Sequence, residues 1–169
     1  MIAQTERGIA RVRAIEALLQ AGDVSFILHE HVAVGTIELA HQLVPHLTVN
    51  LIKTLVFEVS DGARIILVGI DCNAQVDYKR VSAAVGCSRR ALRLVPGPRV
   101  EAELGFEVGG VGPFRLSANI EVILDARFSL AEQVKVGGGT RTHTFELAFG
   151  DLVRLGDAKL APVSKEEPV

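Results

Sequence analysis

The alternation of apolar and polar residues divides the chain into short helices and strands. Over residues 5–21, apolar side chains recur every three or four positions, which predicts an amphipathic first helix that Gly22 ends. Residues 51–59 and 64–70 are two runs rich in branched side chains, and Ser60-Asp61-Gly62 between them is a turn sequence. These two runs predict the clearest β-hairpin of the chain.

Two further helices have recognisable ends. Thr36 is a good N-cap for a helix over residues 37–43, which Pro45 closes, and Gly86 ends a helix over residues 77–85. The remaining predicted elements are strands at 25–29, 120–124, 133–136 and 142–149, short helices at 99–104 and 151–155, a basic connection through Leu94 and a frayed tail at 164–169. Strands outnumber helices and occur in hairpins and after helices, so we expect the α+β class with a mixed, curved sheet.

Composition indicates one ordinary globular domain, residues 1–169. Hydrophobic residues make up 49% of the chain and charged residues 22%. No apolar run approaches the roughly 18 residues of a membrane span, and the first residues lack a signal-peptide pattern, so we expect a cytoplasmic protein with no membrane partner. Cys72 and Cys87 form neither a disulfide framework nor a metal motif.

The charge is unevenly distributed although its net value is only -2. One segment of the chain contains basic residues and no acidic ones: Lys79, Arg80, Arg89, Arg90, Arg93 and Arg99. This basic cluster has two interpretations that the sequence leaves open. It is either a footprint for nucleic-acid phosphates or a solvated surface balanced by acids elsewhere in the fold.

A glycine-rich segment and a distant lysine are the main candidates for chemistry. Gly109, Gly110 and Gly112, followed by Pro113, predict a shaped loop that could bring bare backbone N–H groups close to an electron-rich ligand. Lys53 lies in an otherwise apolar run, where an ammonium group costs free energy unless it has a partner or a ligand. The alternative for Lys53 is a strand-end lysine whose charged head reaches water.

Other common sites are not favoured by the sequence. Neither glycine cluster has the lysine of a P-loop or the strand and helix setting of a dinucleotide site, and no Gly-x-Ser-x-Gly elbow occurs. His29 and His31 fall on one face of a predicted strand, but without a clear third ligand a hydrogen-bonded or exposed pair is favoured over zinc. We therefore expect no metal and no cofactor.

Several short segments together resemble the YbaK/ProX family. They occur in the family's order between about residues 25 and 155: Lys53-Thr54-Leu55-Val56, Gly109-Gly110-Val111-Gly112-Pro113-Phe114, Val136-Gly137-Gly138-Gly139, Glu146-Leu147 and Gly150-Asp151-Leu152. That family comprises aminoacyl-tRNA deacylases and the editing insertion of bacterial prolyl-tRNA synthetases. The resemblance implies a barrel-like sheet flanked by helices and a mischarged aminoacyl-tRNA as substrate, with an aminoacyl-tRNA synthetase as a candidate partner.

The resemblance also implies site residues. The family's lysine falls on Lys53, its glycine loop on 109–113, its helix-opening threonine on Thr36, and a histidine of the synthetase insertion corresponds to His143. The implied catalytic residues are Lys53, Gly109, Gly110 and Gly112. The expected substrate-binding residues are Thr36, Pro113, Phe114, His143 and His31, and the basic cluster is the expected tRNA-binding surface.

These residues lead to an expected function with one alternative. Backbone N–H groups of the glycine loop would stabilise the oxyanion of ester hydrolysis, Lys53 would bind the terminal phosphate or the carbonyl oxygen, and Phe114 and Ile37 would wall a pocket for small side chains. The expected protein is a free-standing deacylase that edits a small amino acid on tRNA-Pro. The departure at Gly112-Pro113-Phe114-Arg115 leaves the amino acid open. The alternative is a non-catalytic RNA-binding or protein-binding module that keeps the fold.

Overall fold

The computed structural model describes residues 6–60 and 64–166, and in them a single mixed sheet is flanked by helices. The strands in this part of the chain are β1 Phe26–Glu30, β2 Leu51–Val59, β3 Arg64–Asp71, β4 Leu92–Leu94, β5 Ile120–Asp125, β6 Gln133–Gly137, β7 His143–Ala148 and β8 Lys159–Ala161. The helices are α1 Glu6–Ala21, α2 Ile37–Leu43, α3 Tyr78–Val85, α4 Gly97–Arg99, which continues as a π-helical turn over Val100–Leu104, and α5 Phe149–Gly156. Single 3₁₀ turns lie at Pro45–Leu47 and Arg89–Ala91.

The sheet divides along one edge of β2. Its strand order is β1-β7-β6-β2-β3-β5-β8, with β4 paired to β2 outside this path. β3 accompanies β2 along its length, whereas on the other edge β6 pairs only with Leu51 and Ile52, and β4 pairs only with the last three residues of β2. Pairs β2–β6, β3–β5 and β5–β8 are parallel and the others antiparallel. The predicted hairpin and mixed sheet are confirmed, although turn residues 61–63 lie outside the described part.

Both faces of the sheet are buried, which is why β3 reads as a nearly continuous apolar run. Ile65 and Leu67 belong to one core cluster, together with Ile15 of α1. Ile66 and Val68 point to the opposite face, where a second cluster includes residues of α3. Burying each such side chain stabilises the fold by about 1.5–3 kcal/mol.

The predicted caps Thr36 and Gly86 are confirmed, and Asp77, predicted as the first residue of its helix, is the N-cap of α3. Thr36 Oγ1 accepts a hydrogen bond from the Leu39 N–H at 3.1 Å, and Asp77 Oδ1 accepts one from the Lys79 N–H at 3.0 Å. Gly86 ends α3 with φ of 81°, a conformation that glycine adopts without strain. Each cap satisfies backbone groups that have no partner inside the helix.

Two expectations differ from the structure, and one strand was not predicted. The basic connection through Leu94 contains β4, and residues 159–161 form β8; strands of three residues show no periodic pattern to detect. The frayed tail is wrong for residues 164–166, because Ser164 is buried and donates a hydrogen bond to Asp125, while its carbonyl accepts one from Arg80 at 3.2 Å. Residues 167–169 lie outside the described part. In the described residues, none of the helices combines the length and apolarity needed to cross a membrane.

Candidate functional site

A cavity of about 230 Å³ lies between α2, the start of β2, the glycine loop and the start of β7. Apolar residues of α2 and the turn that follows it form one wall, including Ile37, Ala40 and Leu47. Lys53 and Arg141 also line the cavity, and no aspartate or glutamate is among its described lining residues. The cavity therefore presents positive charge without an acidic counter-charge.

The division of the sheet leaves Thr54 of β2, which lines this cavity, without a paired strand on one edge. The Cys72 N–H donates to the Leu51 carbonyl at 2.8 Å, so the backbone groups of Leu51 and, by alternation, Lys53 point toward β3. Those of Thr54 point to the other edge, where β6 no longer pairs. Thr54 Oγ1 is buried without a hydrogen-bond partner in the described residues. Such a polar group is costly unless a ligand or water satisfies it.

Lys53 is half-buried on β2, and its position supports the ligand-binding interpretation of this cation. In the described part of the chain it forms no ion pair and no side-chain hydrogen bond. A partly desolvated ammonium group without a carboxylate is stabilised when an anionic or strongly polar ligand enters. Lys53 is therefore suited to bind an anionic or strongly polar ligand in this cavity.

The glycine loop packs directly on the chain that joins β6 to β7. A Cβ atom on Gly110 would overlap the Thr140 backbone, and one on Gly112 would overlap the Gly137 carbonyl oxygen. Gly109 has φ of 89°, and a Cβ there would lie 2.7 Å from the Gly35 carbonyl oxygen. These glycines thus allow two backbone segments to touch at the cavity.

The hydrogen bonds of the loop correct the assignment of its donors. The Gly110 N–H already donates to the Glu107 carbonyl at 2.8 Å, so it is not available to an oxyanion, and neither Gly110 nor Gly112 lines the cavity. Gly109 and Val111 do line it, and their N–H groups have no hydrogen-bond partner in the described residues. Gly109 and Val111 are the loop donors that a ligand could reach.

Two predicted substrate-binding histidines line the cavity. His31 Nδ1 lies 2.8 Å from the Val32 carbonyl oxygen and Nε2 lies 2.8 Å from Thr144 Oγ1. Burial lowers the pKa of His31, so its neutral form donates from Nδ1 and accepts the threonine hydroxyl at Nε2. His143 Nδ1 lies 2.6 Å from Thr140 Oγ1, and its Nε2 lies 3.7 Å from Glu30 Oε1.

Phe114 is not a wall of the cavity, and this expectation is wrong. Its side chain is 1% exposed and packs edge-on against Phe145, with ring centroids 6.1 Å apart. Pro113 is also buried and does not line the cavity; it lies beside Gly69 of β3. Ile37 lines the cavity as expected. Thr36 does too, although its hydroxyl oxygen caps α2.

No member of the basic cluster lines the cavity, and two of its six members are ion-paired within the described residues. Arg99 pairs with Glu58 and Glu103, Arg80 pairs with Glu166, and Arg89 lies over the Tyr78 ring at 4.4 Å. The exposed members without an ion pair in residues 6–60 and 64–166 are Lys79, Arg89, Arg90 and Arg93. Arg93 of β4 lies opposite Glu58 of β2 in the strand register, five residues or about 17 Å along β2 from Lys53.

Sequence reasoning missed Arg141, Thr54 and Thr140 as residues of the site. The sequence offered one indication of all three, because each is close along the chain to a residue that was predicted to belong to the site. Thr54 directly follows Lys53, and Thr140 and Arg141 precede His143. His29 does not line the cavity with His31; its Nε2 lies 2.8 Å from Glu146 Oε1. The described residues contain no group of three or more His, Cys, Asp or Glu side chains suited to a metal ion.

Comparison with known proteins is consistent with this geometry. The sequence model of the aminoacyl-tRNA editing domain matches residues 29–155. The uncharacterized protein YwhH of Bacillus subtilis (strain 168) is 29% identical over 126 residues, which cover 75% of this chain and 78% of that protein.

Two crystal structures share the fold over nearly their whole length. The hypothetical protein APE2540 has a TM-score of 0.78 at 25% identity, covering 90% of this chain and 99% of its own. The second, "a putative trans-editing enzyme for prolyl tRNA synthetase", has a TM-score of 0.74 at 24% identity, covering 92% and 98%. Because the family match extends from β1 through most of α5 and includes every element around the cavity, the chain belongs to the aminoacyl-tRNA editing domain family.

Proposed function

We propose that this protein is a trans-acting deacylase that hydrolyses the ester of a mischarged tRNA carrying a small amino acid, with tRNA-Pro as the first candidate. One observation carries the proposal. The cavity combines Lys53, two unpaired backbone N–H groups at Gly109 and Val111, and no carboxylate among its described lining residues. That combination suits a carbonyl that becomes an oxyanion next to a phosphate-bearing nucleotide.

The size of the cavity supports an amino-acid side chain as its occupant. Its volume of about 230 Å³ is below the ~300–1,000 Å³ typical of sites that enclose drug-sized ligands. Ala40, Val44 and Leu47 make part of the wall apolar and limit its depth. Larger side chains are excluded by overlap, which discriminates more strongly than the binding energy of one methylene group.

The proposed reaction uses water as the nucleophile, since the described lining contains threonines but neither serine nor cysteine. Water adds to the ester carbonyl, and the oxyanion that forms accepts hydrogen bonds from the Gly109 and Val111 N–H groups. The carbon–oxygen bond to the ribose then breaks and the ribose oxygen takes up the proton that the attacking water loses, which yields free amino acid and tRNA. Each aligned N–H donor contributes on the order of 2.7–4 kcal/mol to transition-state stabilisation.

Lys53 adds charge to this arrangement. Its ammonium group, which has no carboxylate partner in the described residues, binds either the carbonyl oxygen or the phosphate of the terminal nucleotide. Either contact holds the ester against the loop, so that the reacting groups are already oriented for attack. The resemblance to the trans-editing structure favours tRNA-Pro and a synthetase as the source of substrate, and a cytoplasmic location is part of the proposal.

A panel of mischarged tRNAs tests the proposal. Alanyl, cysteinyl and seryl esters on tRNA-Pro and on one unrelated tRNA are incubated with the protein, and the remaining ester is measured over time. We expect hydrolysis of at least one ester and its loss in Lys53→Ala. Binding of tRNA without hydrolysis of any ester would instead support a non-catalytic RNA-binding module, and neither binding nor hydrolysis would favour a protein-binding module.

A further inference from the structure

We propose that Arg141 binds the 5′-phosphate of the terminal nucleotide that carries the ester. The inference rests on the proposed function and extends it to a residue outside the predicted catalytic, substrate-binding and tRNA-binding sets. Arg141 is half-buried in the segment before β7, where it lines the cavity beside Gly109.

The arginine is held in place by contacts on three sides. Its Nε donates to the Val108 carbonyl at 2.7 Å, and its backbone N–H donates to Glu107 Oε2 at 3.0 Å. Its carbonyl accepts a hydrogen bond from the Val34 N–H at 2.9 Å. The residue thus links the glycine loop to the chain that leads into α2.

The same side chain packs on the backbone of Gly35. A Cβ atom at Gly35 would lie 3.3 Å from the Arg141 Nε and 3.5 Å from its Cζ. The absence of a side chain at Gly35 therefore allows the guanidinium to pack this close to the backbone. A positioned guanidinium loses less conformational entropy when it binds a ligand than a free one does. The position is therefore suited to binding and not only to surface charge.

The outer part of the guanidinium has no partner in the described residues. Only Nε of its side chain is hydrogen-bonded, and none of the ion pairs of the described chain includes it. By contrast, Arg64 and Arg99 each pair with a glutamate. The terminal amino groups of Arg141 remain available at a cavity whose other cation is Lys53 and whose described lining has no carboxylate.

Phosphate is the anion that the proposed substrate brings to this position. The carboxyl group of the amino acid is esterified and neutral, so the negative charges nearest the ester are those of the nucleotide backbone. A cavity of about 230 Å³ takes the amino-acid part, which leaves the nucleotide at the rim. Guanidinium groups bind phosphate through two parallel N–H donors, which fixes orientation as well as position.

Two substrates that differ in the phosphate test the inference. The deacylation kinetics of wild type, Arg141→Gln and Arg141→Lys are measured with the best aminoacyl-tRNA and with the matching 3′-aminoacyl-adenosine, which lacks the 5′-phosphate. For Arg141→Gln we expect kcat/KM on tRNA to fall about 10- to 100-fold, mainly through KM, because a charge-assisted hydrogen bond is removed. Activity on the aminoacyl-adenosine should change less than about threefold, and Arg141→Lys should be intermediate on tRNA.

The matched control is Arg115→Gln, because Arg115 is exposed, donates to the Ala118 carbonyl and does not line the cavity. It should leave both substrates unaffected. Equal losses of Arg141→Gln on both substrates, or no loss on either, would overturn the phosphate contact.

A binding measurement separates failure of this inference from failure of the proposed function. Wild type should bind adenosine 5′-monophosphate about tenfold or more tightly than adenosine, and Arg141→Gln should lose that preference while its melting temperature is retained. A wild-type protein that hydrolyses no ester but shows this preference would refute the function and keep the phosphate site. Absence of the preference in wild type would refute the site, whatever the hydrolysis result.

Discussion

Two single residues determine the charge of the cavity lining. Lys53 and Arg141 are the two cations among its described lining residues, which include no aspartate or glutamate. Positive charge without a local counter-charge raises the affinity for anions and also destabilises the ligand-free protein slightly. The same residues should therefore affect function and stability in opposite directions.

Lys53→Ala should reduce the deacylation rate by roughly tenfold or more, because the charge that positions the ester is removed. The melting temperature should hold or rise, since a partly desolvated ammonium without a partner is eliminated. Single-turnover deacylation and thermal unfolding check both expectations. Lys135→Ala is the matched control, because Lys135 donates to the Val49 carbonyl at 2.7 Å and does not line the cavity. Wild-type turnover in Lys53→Ala would refute the role.

Gly110→Ala should lower stability more than it lowers the turnover of folded molecules. The added Cβ overlaps the Thr140 backbone, and overpacking of this kind costs about 1–3 kcal/mol. Gly86→Ala is the comparison, because Gly86 has positive φ but open space around it, so backbone strain is tested without overlap. Denaturant unfolding combined with single-turnover rates decides. If stability is unchanged and turnover is abolished, the Gly110 N–H does bind the oxyanion.

His31 should make stability depend on pH below the ordinary histidine pKa of 6.5. Burial, and secondarily the charges of His143 and His29, lower the pKa of His31 in the folded protein. The unfolded chain therefore takes up the proton first, so the stabilisation is complete above pH 6.5 and declines as the pH falls through the folded pKa. The free energy of unfolding measured from pH 8 to pH 5 should decline less steeply in His31→Gln. Identical slopes would contradict the lowered pKa.

At the scale of elements, α2 is the part of the fold that closes the cavity. It has only seven residues and, with the turn that follows, packs a small cluster of Ala40, Val44 and Leu47. Helices this short are marginal unless their ends are capped and one face is packed. The start of α2 is therefore a sensitive point for the geometry of the site.

Thr36→Ala should cost about 1 kcal/mol of stability, because it removes the hydroxyl that accepts the Leu39 N–H. Loosening of the first turn should also move Ile37, which lines the cavity, and so lower deacylation. Thermal unfolding and single-turnover deacylation measure the two effects. Thr36→Ser keeps the cap and should restore both properties. If Thr36→Ser is stable but inactive, the threonine methyl group contacts the substrate directly.

At the scale of the whole molecule, we expect tRNA contacts to extend beyond the cavity. Arg93 of the basic cluster lies along β2 from Lys53, and the members without an ion pair in the described residues are Lys79, Arg89, Arg90 and Arg93. The role of this surface in tRNA binding stays a prediction. Phosphate contacts here would contribute to affinity without identifying the amino acid.

Charge reversal at Arg90 and Arg93 should weaken tRNA binding uniformly across tRNAs. Removing one phosphate interaction should reduce the slope of log affinity against log salt by about 0.7–0.9. Filter binding at several salt concentrations measures this, and Arg13→Glu on α1 is the control for charge reversal elsewhere. If affinity and slope are unchanged, the cluster is a solvated surface.

Local sequence was sufficient for most of the fold because its signals act over a few residues. The periodic apolar positions of α1, the capping residues Thr36 and Asp77, and the branched runs of β2 and β3 each restrict their own segment. The ordered glycine and lysine segments were likewise enough to indicate the editing-domain family, which the match over residues 29–155 confirms.

Only the tertiary structure decided which groups of those segments can reach a ligand. The Gly110 N–H is occupied by Glu107, Phe114 packs in the core, and Arg141 lines the cavity because chains distant in sequence meet there. The three-residue strands β4 and β8 exist for the same reason, since neighbouring strands supply their hydrogen bonds. Short-range periodicity specifies an element and its buried face, whereas the availability of a donor or a charge depends on every segment packed around it.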